Sequence, residues 1–318
     1  MRMKQNMTQG NIVKTLVLFT VPLILSGMFQ QLFNWVDAFI VGNVEGENAL
    51  AGIGATTSIY NLFVTVIVGF TSGISVLVAQ QYGMGEKRKI KNTLSSFLLL
   101  LGGLFLCIAA LGILFTKPLL TLLDTPGNIF PVSQSYLQIL FIGIPFLAVY
   151  NTYSAVLRGL GDSKAPFLSV LVCSGVNVIL DILFVVVLRY GAAGASAATI
   201  LSQSVMTVYI ILYTMKKYPA LRFHLGRKAF DRAAVSQGAK FSLPPAVQSG
   251  TASVGNLVLQ RFMNGFGEQT VAAITTAYRV DSLLILPIVN FGSGIATIVA
   301  QNIGAEKQER AKKVLKTG

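Results

Sequence analysis

The hydrophobic positions of this chain run in long unbroken blocks, separated by short polar or basic stretches. Eight blocks, at about 13–41, 49–81, 92–116, 129–157, 166–188, 193–215, 237–264 and 270–303, are long enough to be membrane helices. Crossing about 30 Å of hydrocarbon takes about 20 helical residues. The pattern predicts an all-α polytopic membrane protein with eight transmembrane helices. Residues 1–14 are polar and basic, and the apolar run behind them is too long for a cleavable signal core. The first span is therefore expected to stay in the membrane.

Composition strengthens this reading. Of 318 residues, 53% are hydrophobic and 12% charged, with mean hydropathy +0.66, whereas a soluble domain carries about 25% charged residues. A net charge of +13 would suit a nucleic-acid binder, but its distribution argues against one. Lys87, Arg88, Lys89 and Lys91 follow the second span, and Arg158 and Lys164 follow the fourth. Six basic residues lie between Lys216 and Arg232 after the sixth, and five more from Lys307 to Lys316 after the eighth. Intervening connections such as GNVEGENAL and NGFGEQT carry no Lys or Arg. This positive-inside alternation puts both ends of the chain in the cytoplasm, as in a multi-pass plasma-membrane protein. It makes anionic inner-leaflet lipid, not nucleic acid, the partner of the basic loops. Cys107 and Cys173 fall inside spans and read as packing residues, not as a disulfide or metal ligands. His224, the only histidine, lies in the basic connection.

An internal repeat organises the chain. Residues 46–85 align without gaps to 267–306, an offset of 221, with about 15 of 40 positions identical. Gly73, Ala79, Gln80 and Gly83 match Gly294, Ala300, Gln301 and Gly304. Upstream, FTVP at Phe19–Pro22 matches FSLP at Phe241–Pro244. The copies lie six spans apart and run in the same sense, so the repeat is parallel, about an axis along the membrane normal. The implied organisation is a complete six-helix first lobe over 1–215, a basic linker at 216–236, and the start of a second lobe over 237–318. The linker suits either a surface-lying amphipathic helix or a basic connection with partial helix. Only two of the second lobe's six expected helices precede the tail, so truncation is expected, an unusually small second lobe being the alternative. Pro145 and Pro287 should kink or locally unravel their spans.

Three acids lie inside spans: Asp37, Asp181 and Asp281. An ionised carboxylate at the centre of a bilayer helix costs at least about 2.5–3.5 kcal/mol. By helix rise, Asp37 is roughly 7 Å and Asp181 roughly 12 Å from the outer end of its span. Thr199 and Tyr136 enter their spans at depths close to about 12 Å. Asn177 shares a helix face with Asp181 at i, i+4 spacing. Four helices thus offer polar groups at similar depth in the outer half of the first lobe. Asp37 and Asp181 facing one another in low dielectric would hold a proton, or a monovalent cation with help from Asn177 and Thr199. The alternative is polar glue, in which carboxyl–amide hydrogen bonds pin the helices. Asp281, two residues after Arg279, suits ion pairing or snorkelling as well as function.

Enzyme signatures are weak. GLGD at Gly159–Asp162 matches a string of intramembrane aspartyl proteases, but it sits in a cytoplasmic turn before Ser163 and Pro166. HExxH, GxSxG and P-loop strings are absent, so ATP is not expected as the energy source within this chain and no cofactor is implied.

Several stretches, taken in order, resemble the multidrug and toxic-compound extrusion (MATE) family: VPLILSGMFQQLFNWVDAFIVG, LVAQQYGMGE, LRGLGDSKAP, GVNVILDILFV, GAAGASAATILSQ and IVAQNIGAEKQERAKK. The resemblance implies a twelve-helix protein with two six-helix lobes around a V-shaped cavity. It implies exchange of H⁺ or Na⁺ for organic, often cationic, compounds; alternating access is the expected mechanism, and a monomer the expected state. It also assigns an ion-coupling site to Asp37, Asn177, Asp181 and Thr199, with Tyr136 as a neighbour. Some members use an acid in the seventh span, about eight residues after its proline; here that position is Ala252 and the span has no acid. A second-lobe sodium site is therefore not expected. Two other readings stay open: a lipid-linked oligosaccharide flippase of the same superfamily, and a non-transporting truncated membrane protein.

Overall fold

The computed structural model describes residues 7–223, 230–264 and 268–318, apart from the side chains of Glu47, Asn48 and a number of residues between 257 and 280. The described residues form helices and no strands. Long helices run over Ile12–Glu45 (α1), Glu47–Gly83 (α2), Lys87–Leu122 (α3), Phe130–Gly159 (α4) and Lys164–Asp181 (α5). A π-helical stretch, Ile182–Val187, continues α5. Then come Gly191–Lys217 (α6), Arg232–Asn264 (α7), Glu268–Gly304 (α8) and a short Gln308–Thr317 (α9). All eight expected spans are helices. Seven of them are long and apolar enough to cross a membrane, among the described residues, and α7 is the exception. Its amides and hydroxyls, including Gln237, Ser242, Gln248, Thr251 and Asn256, dilute the apolar run.

The proline expectation needs correcting in part. α4 and α8 stay helical through Pro145 and Pro287, with no unravelling at either. The break from regular α geometry falls instead between Asp181 and Leu188, where no proline occurs. Between α6 and α7 the described residues form a single 3₁₀ turn, Pro219–Leu221. His224 lies outside the described residues.

α4 is the interior helix of the first lobe, packed by α2, α3 and α6. Leu137, Phe141, Ile144 and Ala148 are fully buried along it, against Phe97 and Leu101 of α3 and Ile67 and Ile74 of α2. A helix apolar all round needs such a place, since it has no polar face to offer solvent. α5 lies between α6 and α1. Large apolar side chains such as Phe39, Leu114, Leu122 and Ile288 point outward, as a lipid-facing surface requires.

The repeat is visible as paired contacts. A Cβ on Gly83 would collide with the Gln301 carbonyl, and one on Gly304 with the Gln80 carbonyl. These are the same contact seen from the two copies. Likewise Gly73 lies against Phe241 and Ser242, while Gly294 lies against Phe19 and Thr20. Small residues here let the backbones of α2 and α8, and of each with the other lobe's first helix, come close. The register extends further: α3 begins at Lys87 and α9 at Gln308, again 221 apart. Between helices, Gly85 has φ 76° and its counterpart Glu306 has φ 58°. α9 thus occupies the repeat position of α3.

Two further ties close the end of the molecule that carries the basic loops. Met7 is fully buried against Leu16, Phe19, Ile298 and Val314. Asn302 Nδ2 donates to the Met7 carbonyl (3.4 Å), Lys307 Nζ to that of Thr8 (3.0 Å) and Arg310 Nη2 to that of Gln9 (3.0 Å). On the first lobe, the buried Asp162 carboxylate after α4 accepts from Lys217 Nζ (2.7 Å), Tyr218 OH (2.8 Å) and Tyr213 OH (3.2 Å). The GLGD string is therefore a turn that anchors the end of α6.

Candidate functional site

α5 sets the geometry of the polar cluster. Its apolar sequence keeps it in the lobe, and i, i+4 spacing stacks Asn177 and Asp181 on one buried face. Directly after Asp181 the backbone widens: Leu188 N–H donates to Leu183 O (2.9 Å) and Tyr190 N–H to Phe184 O (2.9 Å). Such π-bulges concentrate at functional sites because they re-aim a side chain and perturb the carbonyl ladder. α6 comes close because it opens with Gly191, Ala192, Gly194, Ala195 and Ala198. A Cβ on Gly194 would sit 3.1 Å from Phe184 O of the π stretch. Gly191, at φ 59°, makes the turn under the Glu45 carboxylate at the end of α1.

The sequence-predicted residues fall as follows. Asp37 is half-buried on α1, Asn177 and Asp181 are buried on α5, Thr199 on α6 and Tyr136 on α4. Val41 of α1, Tyr136 of α4 and Val185 of the π-helical stretch pack in one buried cluster, and Asp37 and Asp181 stand four residues before Val41 and Val185, so the three polar groups lie in one region. Thr199 Oγ1 donates to Ala195 O (3.0 Å), leaving its lone pairs free to accept. Asp37 Oδ1, both carboxylate oxygens of Asp181 and both amide atoms of Asn177 are buried with no hydrogen-bond partner among the described residues. Carboxyl–amide glue would have paired these atoms. Leaving a buried polar atom unpaired costs about 1–3 kcal/mol, more if charged. The donor set is all oxygen apart from one amide nitrogen, which suits a proton or a hard cation.

Two polar residues near this cluster were not singled out by sequence. Gln203, on the Thr199 face of α6, is buried and donates through Nε2 to Tyr60 OH of α2 (3.1 Å). The available signal was an amide four residues after Thr199 in an apolar span. Asp281 is exposed on α8, and its suggested pairing with Arg279 falls outside the described side chains. Cys107 is exposed and Cys173 buried, and they are not bonded to each other.

The family model MatE matches residues 22–183 and 244–318. The probable multidrug resistance protein YpnP of Bacillus subtilis is 33% identical over 304 residues, spanning 95% of this chain and 68% of that one. The FAD transporter of Shewanella oneidensis is 26% identical over 325 residues, spanning 99% of this chain and 70% of that one. In fold, an outward-facing multidrug resistance MATE family transporter superposes with TM-score 0.88 at 23% identity, spanning 97% of this chain and 68% of that one. A family of membrane transporters rather than enzymes thus accounts for the helices, the parallel repeat and the acids within the spans. By the matched model and the identity to YpnP, the chain belongs to the MatE family of multidrug efflux transporters.

Proposed function

We propose that this chain forms the ion-coupled part of an antiporter that exports organic, chiefly cationic, compounds by alternating access. The observation that carries the reading is the set of buried, unpartnered oxygens on Asp37, Asn177 and Asp181. Asp37, Asn177, Asp181 and Thr199 receive H⁺ or Na⁺, and Tyr136 lies beside them. The ion is a transported partner, and no resident cofactor enters the scheme. With the carboxylates charged, α1 and α5 repel across the cluster. Neutralisation relaxes that repulsion and lets α1 close on α5. Because α1 also packs against α8, the change reaches the second lobe. Reciprocal linkage then requires that ion binding expel the drug and drug binding expel the ion.

The units are a first lobe over 1–215, a linker over 216–236 and a second-lobe start over 237–318. The protein is a monomer in the plasma membrane, with residues 305–318 and the amino terminus cytoplasmic and basic loops on anionic lipid. The test is binding of a fluorescent cationic dye to the purified chain, at acid and alkaline pH and with or without sodium. Expected is affinity that falls about 5-fold or more with acid or sodium, the low end of ordinary coupling, and a change below about 2-fold in Asp181→Asn. An unchanged ion dependence in Asp181→Asn would overturn the proposal. A second reading, an anionic cargo, is favoured by the similarity to a protein named an FAD transporter. An anionic dye in the same assay decides between them.

A further inference from the structure

We infer that Tyr60 and Gln203 are positioning residues that carry the state of the coupling site to α2, the helix joining the two lobes. The inference rests on the coupling site proposed above and extends it by a link that neither spacing nor family resemblance supplied.

Gln203 lies one turn from Thr199 on the same face of α6. Its Nε2 is committed to Tyr60 OH at 3.1 Å, while its Oε1 is buried with no partner among the described residues. Space for that amide is made by Gly143 of α4, where a Cβ would sit 3.0 Å from Oε1. An apolar side chain of similar size would avoid the cost of a buried, unpaired acceptor, about 1–3 kcal/mol. An amide held here at that cost acts as a poised acceptor.

Tyr60 is the second member. It packs against the buried cluster that holds Tyr136, Val41 and Val185, the last two standing four residues after Asp37 and Asp181. The titratable groups around the link are Asp37 from α1, Tyr136 from α4, and Cys173 and Asp181 from α5. In the proposed cycle a charged carboxylate draws in the Tyr136 hydroxyl, which Asp37 Oδ1 and the Asp181 oxygens do not hold in this structure, and ion uptake releases it. The unpartnered Gln203 oxygen and the Tyr60 hydroxyl are the groups on that side able to receive it. Tyr60 also stands on the helix that carries the interlobe contacts. Gly69, nine residues along α2 and about 14 Å away by helix rise, approaches Pro245 O and Ser249 of α7. Gly73 and Gly83 continue the interface. α1 is a second route out of the site, but it meets α8 and not α7 to any comparable extent.

The experiment separates ion binding from its consequence. Trp35, the only tryptophan, stands two residues from Asp37, so its fluorescence in the purified full chain reports sodium and pH titration at the site. Dye affinity is measured on the same samples. For Tyr60→Phe and Gln203→Met, the Trp35 midpoints are expected within about 3-fold of the wild type in ion concentration. The ion-driven change in dye affinity is expected to collapse from about 5-fold or more to below about 2-fold. A merely structural role would move neither readout selectively. Variants that keep the full ion-driven change overturn the inference and leave the coupling site standing. Variants that lose the Trp35 response itself also overturn it, since the residues would then belong to ion binding. A wild-type chain with no ion response at Trp35 or in dye binding overturns the coupling site and this inference together.

Discussion

Gly83→Ala tests whether the α2–α8 contact holds the two lobes together. A Cβ at Gly83 would overlap the Gln301 carbonyl and lie 2.9 Å from Ala305 N. Both neighbours are backbone, so no rotamer change relieves the overlap. The helices must separate by on the order of 1 Å, forfeiting contacts along the interface. Overpacking of this kind costs about 1–3 kcal/mol, while alanine gains about 1 kcal/mol over glycine in a helix. The neighbours being backbone places the cost at the upper end, leaving a net loss of about 1–2 kcal/mol. Gly103 of α3 supplies the control, because nothing lies within 4 Å of a Cβ there. Gly103→Ala keeps the propensity gain without the overlap and should be neutral or slightly stabilising. In a thermal scan of detergent-purified protein, at about 2–4 °C per kcal/mol, Gly83→Ala is expected to fall by about 2–8 °C. The double variant with Gly304→Ala should lose less than the sum, because one separation relieves both overlaps. A Gly83→Ala protein as stable as Gly103→Ala would refute the close approach.

Two further tests address the basic end. Asp162→Ala strands Lys217 and the Tyr213 and Tyr218 hydroxyls. A loss of about 2–3 kcal/mol is expected in thermal unfolding, the low end for a broken buried pair because Lys217 is 44% exposed; Asp162→Asn should restore part of it, and a loss below about 0.5 kcal/mol would be inconsistent with the tie. Asp231, at the start of α7, has its pKa held below the usual 3.8 first by the hydrogen bond from Asn92 and then by backbone N–H groups. A depressed pKa stabilises the fold above the unfolded value, and that contribution is lost as pH falls through the folded value. Asn92→Ala should therefore lower the melting temperature at pH 7 and have a smaller effect near pH 3; an equal effect at both would mean the carboxylate is not involved.

Much of the architecture was legible in the sequence because lipid imposes long apolar blocks and penalises stray charges. The spans follow from that constraint, and the parallel repeat was legible as identical positions at an offset of 221. What was not legible depends on contacts remote in sequence. Ile182–Val187 reads as ordinary helix, and its π geometry needs the approach of Gly194 and the reversals at Arg189 and Gly191, with φ 54° and 59°. Asp162 read as part of a turn because its partners lie more than 50 residues away. Tyr60 and Gln203 are 143 residues apart and meet only once α2 and α6 flank α4. Local pattern identified which helices exist; it left open which polar side chains find each other.

The buried segment at Met7 has a consequence for the order of biosynthesis. Its hydrogen-bond partners stand 295 to 301 residues later. At about 5–20 residues per second, the ribosome takes about 15–60 s to supply them. During that interval the α1 face formed by Ile12, Leu16, Phe19 and Leu23 is without Ile298 and Val314. The packing of α1 thus waits on residues made nearly 300 positions later, and premature pairing of that face with another apolar helix is the misassembly this topology exposes.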